Sequence, residues 1–297
     1  MKYSVVDVSK FEPENLEQLG TKEKYWFVDD QNRNVLFKIG RPGTGENWAE
    51  VVASRLCDAL GIPHAFYDFA VSGANYGVVT PSFLGKNQRL VLGNEFLFRV
   101  KISDDDTKQL RPKSQSLHTL VTVMTHQIKR KPAGYRSYTD IKTALDFFIG
   151  YLMFDALISN QDRHNENWGM VVSTKDKVHL APTFDHAASL GRNESDQERE
   201  DRLTTKDRLR SVSHYVQKAK SHIYFHNKQL KTLEAFELVG KYSPDATKTW
   251  IRRLSRLHPA VAEDIVGSVP TELMSDWAKS FALEMLKCNK KRILNLA

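Results

Sequence analysis

Nine consecutive residues, Ser159-Asn160-Gln161-Asp162-Arg163-His164-Asn165-Glu166-Asn167, concentrate acids, amides and a histidine, and a second acid follows in Thr183-Phe184-Asp185-His186. Asp162 and Asn167 stand five positions apart, and Asp185 lies eighteen beyond Asn167. These types suit phosphoryl transfer, which needs a carboxylate beside the acceptor hydroxyl and oxygen ligands for Mg²⁺ beside the phosphates of ATP. Mg²⁺ takes hard oxygen donors and keeps several waters, so one Asn and one Asp suffice from the protein. The expected roles are Asp162 as the group that accepts the acceptor's proton and Asn167 and Asp185 as metal ligands. A polar turn would by itself explain Asp162, because Asp, Asn and His all form turns. The second acid, placed after a hairpin, favours the chemical reading. His164 fits either a phosphate contact or a hydrogen bond to its own loop.

The elements around this string are legible. A helix is expected over 140–158, with Ile141, Ala144, Leu145, Phe148, Ile149, Leu152, Ala156 and Leu157 as one buried stripe. The polar turn 159–167 follows it directly. Two short strands, 168–172 and 178–180, then carry the chain back to Asp185. Upstream, 24–28 and 35–39 read as a hairpin across Asp29 to Asn34. The Gly-rich loop 40–45 precedes a helix with Asn47 as cap and Glu50 three residues on. Trp48, Val52, Leu56, Ala59 and Leu60 share its apolar face, and Gly61 and Pro63 end it. Strands are expected at 66–71 and 76–83, a polar connector at 101–116 and a helix at 117–128. Segment 191–210, rich in mixed charge, reads as a mobile loop leading into a helix, and helices fill most of the remainder. This order, strands with one helix and then helices, gives an α+β chain of two lobes, 1–98 and 99–297.

Asp-Arg-His-x-x-Asn resembles the catalytic loop of the phosphoinositide kinases and of the HipA-like kinases. Protein kinases also place an Asn five residues after the loop Asp. Phe184-Asp185-His186 is similar to the metal-binding Asp-Phe-Gly, with His186 where the glycine would stand, which argues against a hinged in/out movement there. Thr44-Gly45-Glu46-Asn47-Trp48, the spacing from Glu50 to Gly61-Ile62-Pro63, and Gly93-Asn94-Glu95-Phe96-Leu97 resemble the compact HipA-like serine/threonine kinases (HipT/CtkA-like). The resemblance covers about residues 19–240 and implies a bilobal protein-kinase-like fold with ATP and Mg²⁺ as its cofactors. It also implies a pair between Lys38, on the strand face shared with Leu36, and Glu50, which together position the α- and β-phosphates. Gly20, Thr21 and Lys22 precede the first clear strand and offer backbone N–H groups to phosphate. Thr80 and Ser82, within 78–82, fit the stretch that meets adenine. The chain begins shortly before the Gly20 loop, so the compact members are the expected match, with self-phosphorylation near Thr21.

Composition bounds the rest. At 297 residues, 41% hydrophobic and 27% charged, the chain can bury a full core. The apolar run 147–157 is too short to span a membrane and contains Asp155. The first residues lack a signal-peptide core, and the two cysteines make no disulfide framework, so a cytoplasmic protein or a secreted effector is expected. The net charge of +7 is spread thinly, without zinc-ligand spacing, so direct nucleic-acid binding is not expected. A non-catalytic scaffold would leave the two placed acids without a role. The family implies a bacterial toxin or effector that phosphorylates a protein substrate and is partnered by an antitoxin. The alternative is a lipid or small-molecule kinase, since the phosphoinositide kinases share the loop; the acids among 194–201 disfavour an anionic membrane.

Overall fold

The computed structural model describes residues 3–16, 23–99, 115–173 and 177–296. Period-2 alternation builds the first sheet. Its strands are β1 (Val5–Asp7), β2 (Asn15–Leu16), β3 (Lys24–Val28), β4 (Asn34–Ile39), β5 (Asp68–Ser72) and β6 (Asn75–Pro81), in the spatial order β1-β5-β6-β4-β3-β2. Only β1 runs parallel to its neighbour; the other pairs are antiparallel. Val35 and Phe37 enter a small core with Val8, Phe27, Ala70 and Val79, which turns Leu36 and Lys38 to the opposite face.

Helix α1 (Glu46–Leu60) lies across this lobe. Its N-cap is Gly45, not Asn47 as the sequence suggested, and no side chain caps it. The Glu46 carboxylate instead takes the Arg41 N–H and pairs with the Arg41 and Arg192 guanidinium groups. The Asn47 amide packs so close to Gly40 that a Cβ there would fall 2.2 Å from its oxygen. Gly61, at φ 64°, ends the helix in the left-handed region that favours glycine.

Strand β7 (Gln88–Leu92) pairs with β9 (Gly169–Ser173), which pairs with β10 (Val178–Leu180), so 88–92 belong to a sheet separate from the first. Then come α2 (Gly93–Arg99), β8 (Gln115–Ser116) and α3 (Leu117–Thr122), which continues as a π turn through Ile128. Of the expected connector 101–116, only the last two residues are described. Helix α4 (Ala144–Ile158) starts four residues later than expected, because Thr143 and Asp146 form a reciprocal capping box. All fifteen of its residues are buried, so it is a central rod and not a helix with one buried stripe. It packs against α7 (Thr232–Gly240), α8 (Pro244–Ser255) and α10 (Asp276–Leu294).

Segment 191–210, read as a mobile loop leading into a helix, contains α5 (Asp196–Thr204) within it, opened by a capping box between Ser195 and Glu198 and tied by Arg199–Asp196 and Arg202–Glu194 pairs. After α6 (Val212–Tyr215) comes a hairpin that the helical reading missed, β11 (Lys220–Phe225) and β12 (Lys228–Lys231). Its turn residues His226 and Asn227 both have positive φ, and β8 joins β11 in parallel. Helix α9 (Pro259–Gly267) sits between α8 and α10 in the chain and packs on α10 and α1.

Candidate active site

Helix α4 ends in a left-handed Ser159, and the chain turns at once into the polar string. A buried ion pair shapes this turn. Arg163 Nε and Nη2 donate to Asp155 Oδ2 and Oδ1, each at 2.8 Å, and Asn160 Nδ2 donates to Asp155 Oδ1 at 2.8 Å. Burial alone would lower the guanidinium pKa, but Asp155 outweighs it and holds the group above its ordinary value. The third guanidinium nitrogen, Nη1, donates to Asn167 O at 2.6 Å and Phe184 O at 3.4 Å. One fixed cation thereby ties together the loop that carries Asn167 and the loop that carries Asp185. Sequence reading did not assign Asp155 or Arg163 a part in the site.

The string folds back on itself. Asn167 Nδ2 donates to Asp162 O at 2.8 Å and approaches Asp162 Oδ2 at 3.4 Å. Glu166 N–H donates to His164 Nδ1 at 3.1 Å, which puts the ring proton on Nε2, 3.5 Å from Asp162 Oδ1. His164 thus has a partner within its own loop and also lines the cleft. His222, from β11, reaches the same Oδ1 at 3.8 Å.

Asp185 adopts φ 58°, in the left-handed region that favours glycine. The next residue, His186, is held at two points: its N–H donates to Glu50 Oε1 at 2.9 Å, and its Nε2 meets Thr183 Oγ1 at 2.9 Å. Burial first, and then Arg163, keep this imidazole well below the ordinary histidine pKa, so it is neutral. Across the cleft, Lys38 Nζ lies 3.1 Å from Asp185 Oδ1 and 3.8 Å from Glu50 Oε2. Burial would push the Lys38 ammonium down, but the two carboxylates hold it well above the ordinary lysine value.

These groups face one cleft of about 660 Å³ between the lobes. Lys38, Asp162, His164, Asn167, Asp185, Thr80 and Ser82 all line it. Val78 and Val79, included in the expected adenine segment, are instead buried in the cores. The apolar wall runs on through Pro81, Phe83 and Leu84, and Phe83 stacks on Phe184 with ring centroids 6.2 Å apart. Gly20, Thr21 and Lys22 lie outside the described residues. Among the described residues no three His, Cys, Asp or Glu side chains gather as a metal cluster. A two-ligand Mg²⁺ site still fits the donor chemistry. Asn167 commits its NH₂ to Asp162, which leaves Oδ1 as its oxygen donor, and Asp185 supplies a carboxylate.

The family model of the HipA-like C-terminal domain matches residues 18–260. Among solved structures, the chain is similar to the proinflammatory kinase CtkA of Helicobacter pylori, with 18% identity and a TM-score of 0.75 over 99% of this chain and 96% of that one. It is also similar to HipA of Shewanella oneidensis MR-1, from a toxin–antitoxin complex with HipB and operator DNA, with 12% identity and a TM-score of 0.56 over 97% of this chain and 67% of that one. No curated protein matches the chain. At such identities the likeness establishes the fold, a kinase-like α+β architecture of two lobes. No helix among the described residues is long and apolar enough to cross a membrane.

Proposed function

The chain belongs to the HipA-like C-terminal domain family, and on that premise we propose that it is a serine/threonine protein kinase that uses ATP and Mg²⁺. The observation that carries the reading is the convergence of Asp162, Asn167, Asp185 and Lys38 on one cleft wide enough for a nucleotide. In this reading Leu36, Thr80, Phe83 and Leu84 take the adenine. Lys38, kept charged and oriented by Glu50, meets the α- and β-phosphates. Asn167 and Asp185 hold Mg²⁺, which when bound offsets charge on the triphosphate. Asp162 orients the acceptor hydroxyl and takes its proton. The acceptor oxygen then bonds to the γ-phosphorus as the bond from phosphorus to the bridging oxygen of ADP breaks. The Gly20-Thr21-Lys22 segment belongs to this reading as a phosphate loop and Thr21 as a site of self-phosphorylation.

The acceptor is a protein hydroxyl, and the partner is an antitoxin-type protein, in keeping with the toxin–antitoxin complex that contains the Shewanella HipA. Asp196, Glu198, Glu200 and Asp201 follow Arg192, a wall residue, and their charge disfavours an anionic lipid surface at the acceptor end. A bacterial toxin or effector acting in the cytoplasm of its own or a host cell completes the proposal.

The test is incubation with radiolabelled ATP and Mg²⁺, using dephosphorylated casein and phosphatidylinositol vesicles as alternative acceptors. Serine or threonine labelling of casein or of the chain itself is expected. Asp162→Ala should lower it by about two to four orders of magnitude, and Asp185→Ala should raise the Mg²⁺ requirement. Label in lipid alone would support the lipid-kinase alternative, and an unimpaired Asp162→Ala would overturn the site.

A further inference from the structure

His222 is remote in sequence from every expected site residue, yet its Nε2 stands 3.8 Å from Asp162 Oδ1. Among the described residues, the side-chain partners of Asp162 are Asn167, His164 and His222. Two of these belong to the same short loop and move with it. Only His222 comes from another element, and that element is registered to the loop independently. In β8, Gln115 Nε2 donates to Arg163 O at 2.9 Å, while its Oε1 accepts from Trp168 Nε1 at 2.8 Å. Gln115 is the parallel partner of Ile223, the residue after His222. The Lys220 N–H, at the start of the same strand, donates to Gln161 Oε1 at 3.4 Å. The three-stranded sheet β12-β11-β8 therefore grips the catalytic loop on both sides of Asp162 and delivers an imidazole to the carboxylate between the grips.

We propose that His222 is a positioning residue for Asp162. Asp162 is 45% exposed, and its own loop offers only two long contacts, the Asn167 amide at 3.4 Å from Oδ2 and His164 Nε2 at 3.5 Å from Oδ1, so the loop alone restrains the carboxylate weakly. An N–H at His222 Nε2 is placed to restrain Oδ1, the oxygen that the Asn167 amide does not approach. The other oxygen, Oδ2, which the Asn167 amide approaches, is then the one left to meet the acceptor hydroxyl. The 3.8 Å separation closes when substrate fills the cleft, as hydrogen bonds in active sites commonly do. The ring packs edge-to-face on His164, with centroids 5.5 Å apart and planes at 88°, so the two imidazoles brace one another as well as the acid. This inference rests on the reading of Asp162 as the proton acceptor.

The test compares the full chain with His222→Ala, His222→Gln and Asp162→Ala, following label transfer to casein or to the chain itself together with calorimetric binding of ATP and Mg²⁺. Gln places an N–H near the position of Nε2. His222→Ala should lower kcat by about 10- to 100-fold, with KM for ATP changed less than about twofold. His222→Gln should recover most of that loss. Full kcat in His222→Ala, an equal deficit in both His222 variants, or a raised KM at unchanged kcat would overturn the inference. Unimpaired transfer by Asp162→Ala would instead overturn the reading on which it rests.

Discussion

Replacing Arg163 by Met separates two jobs that this side chain does at once. Asp155 and Arg163 are 2% and 1% exposed, so the carboxylate left behind has no access to bulk water. Of the three donors to its oxygens, two vanish, and only the Asn160 amide remains. Breaking a buried pair in this way costs about 3–5 kcal/mol. At roughly 2–4 °C per kcal/mol for a chain of this size, the melting temperature should fall by about 10 °C. Adding Asp155→Asn removes the stranded charge and keeps an acceptor for Asn160, so the double variant should regain about 2 kcal/mol. The carbonyls of Asn167 and Phe184 lose their common donor in both variants. Calorimetric affinity for ATP with Mg²⁺ should therefore fall about tenfold in the single and the double variant alike, by analogy with the loss of supporting bonds behind metal ligands. Thermal melts read the first effect and calorimetry the second. A single variant that loses less than about 1 kcal/mol, or a double variant that recovers both stability and metal-dependent binding, would refute this account of Arg163.

Glu50→Gln keeps an oxygen for the His186 N–H but removes the charge that faces Lys38, so kcat should fall about 10- to 100-fold while the melting temperature moves little; equal rates would show that the charge is not needed. Gly150→Ala would drive a Cβ to 2.4 Å from the buried Trp250 ring, and a loss of about 1–3 kcal/mol is expected in urea unfolding. Burial, assisted by Glu284, pushes the Cys288 thiol up to about 11, so its thiolate is scarce at neutral pH and grows as pH rises. Its alkylation rate should climb about tenfold per pH unit between pH 8 and 10, whereas the fully buried Cys57 stays unlabelled. A plateau near pH 9 would contradict the assigned environment of Cys288.

What sequence could deliver depended on whether the signal was local. Asp162, Asn167 and Asp185 sit in contiguous polar strings bounded by strong apolar elements, and β4 shows plain alternation, so Lys38 and Leu36 fall on one face. Asp155 was visible as an acid inside an apolar run, but its partner lies eight residues on, and nothing in composition joins them. The start of α1 misled because Asn47 is a good cap by type, while Glu46 makes the earlier start favourable through Arg41 just before it and Arg192 far along the chain. The hairpin β11–β12 was legible in principle, since His226-Asn227 suits a two-residue turn with positive φ at both positions. Ser195 and Glu198 likewise spell a capping box that mixed charge obscured. The contact between His222 and Asp162 depends on sheet pairing across distant segments, which periodicity does not encode.

The anchoring of His186 has a pharmacological consequence. Its backbone is fastened to α1 through Glu50, its ring to Thr183, and that ring meets Phe154 edge-to-face with centroids 5.4 Å apart. Swinging the Phe184-Asp185 segment outward would break all three together and expose a neutral ring that sits in a dry interior. An inhibitor that gains its selectivity by capturing a swung-out segment would have to work against all three contacts at once.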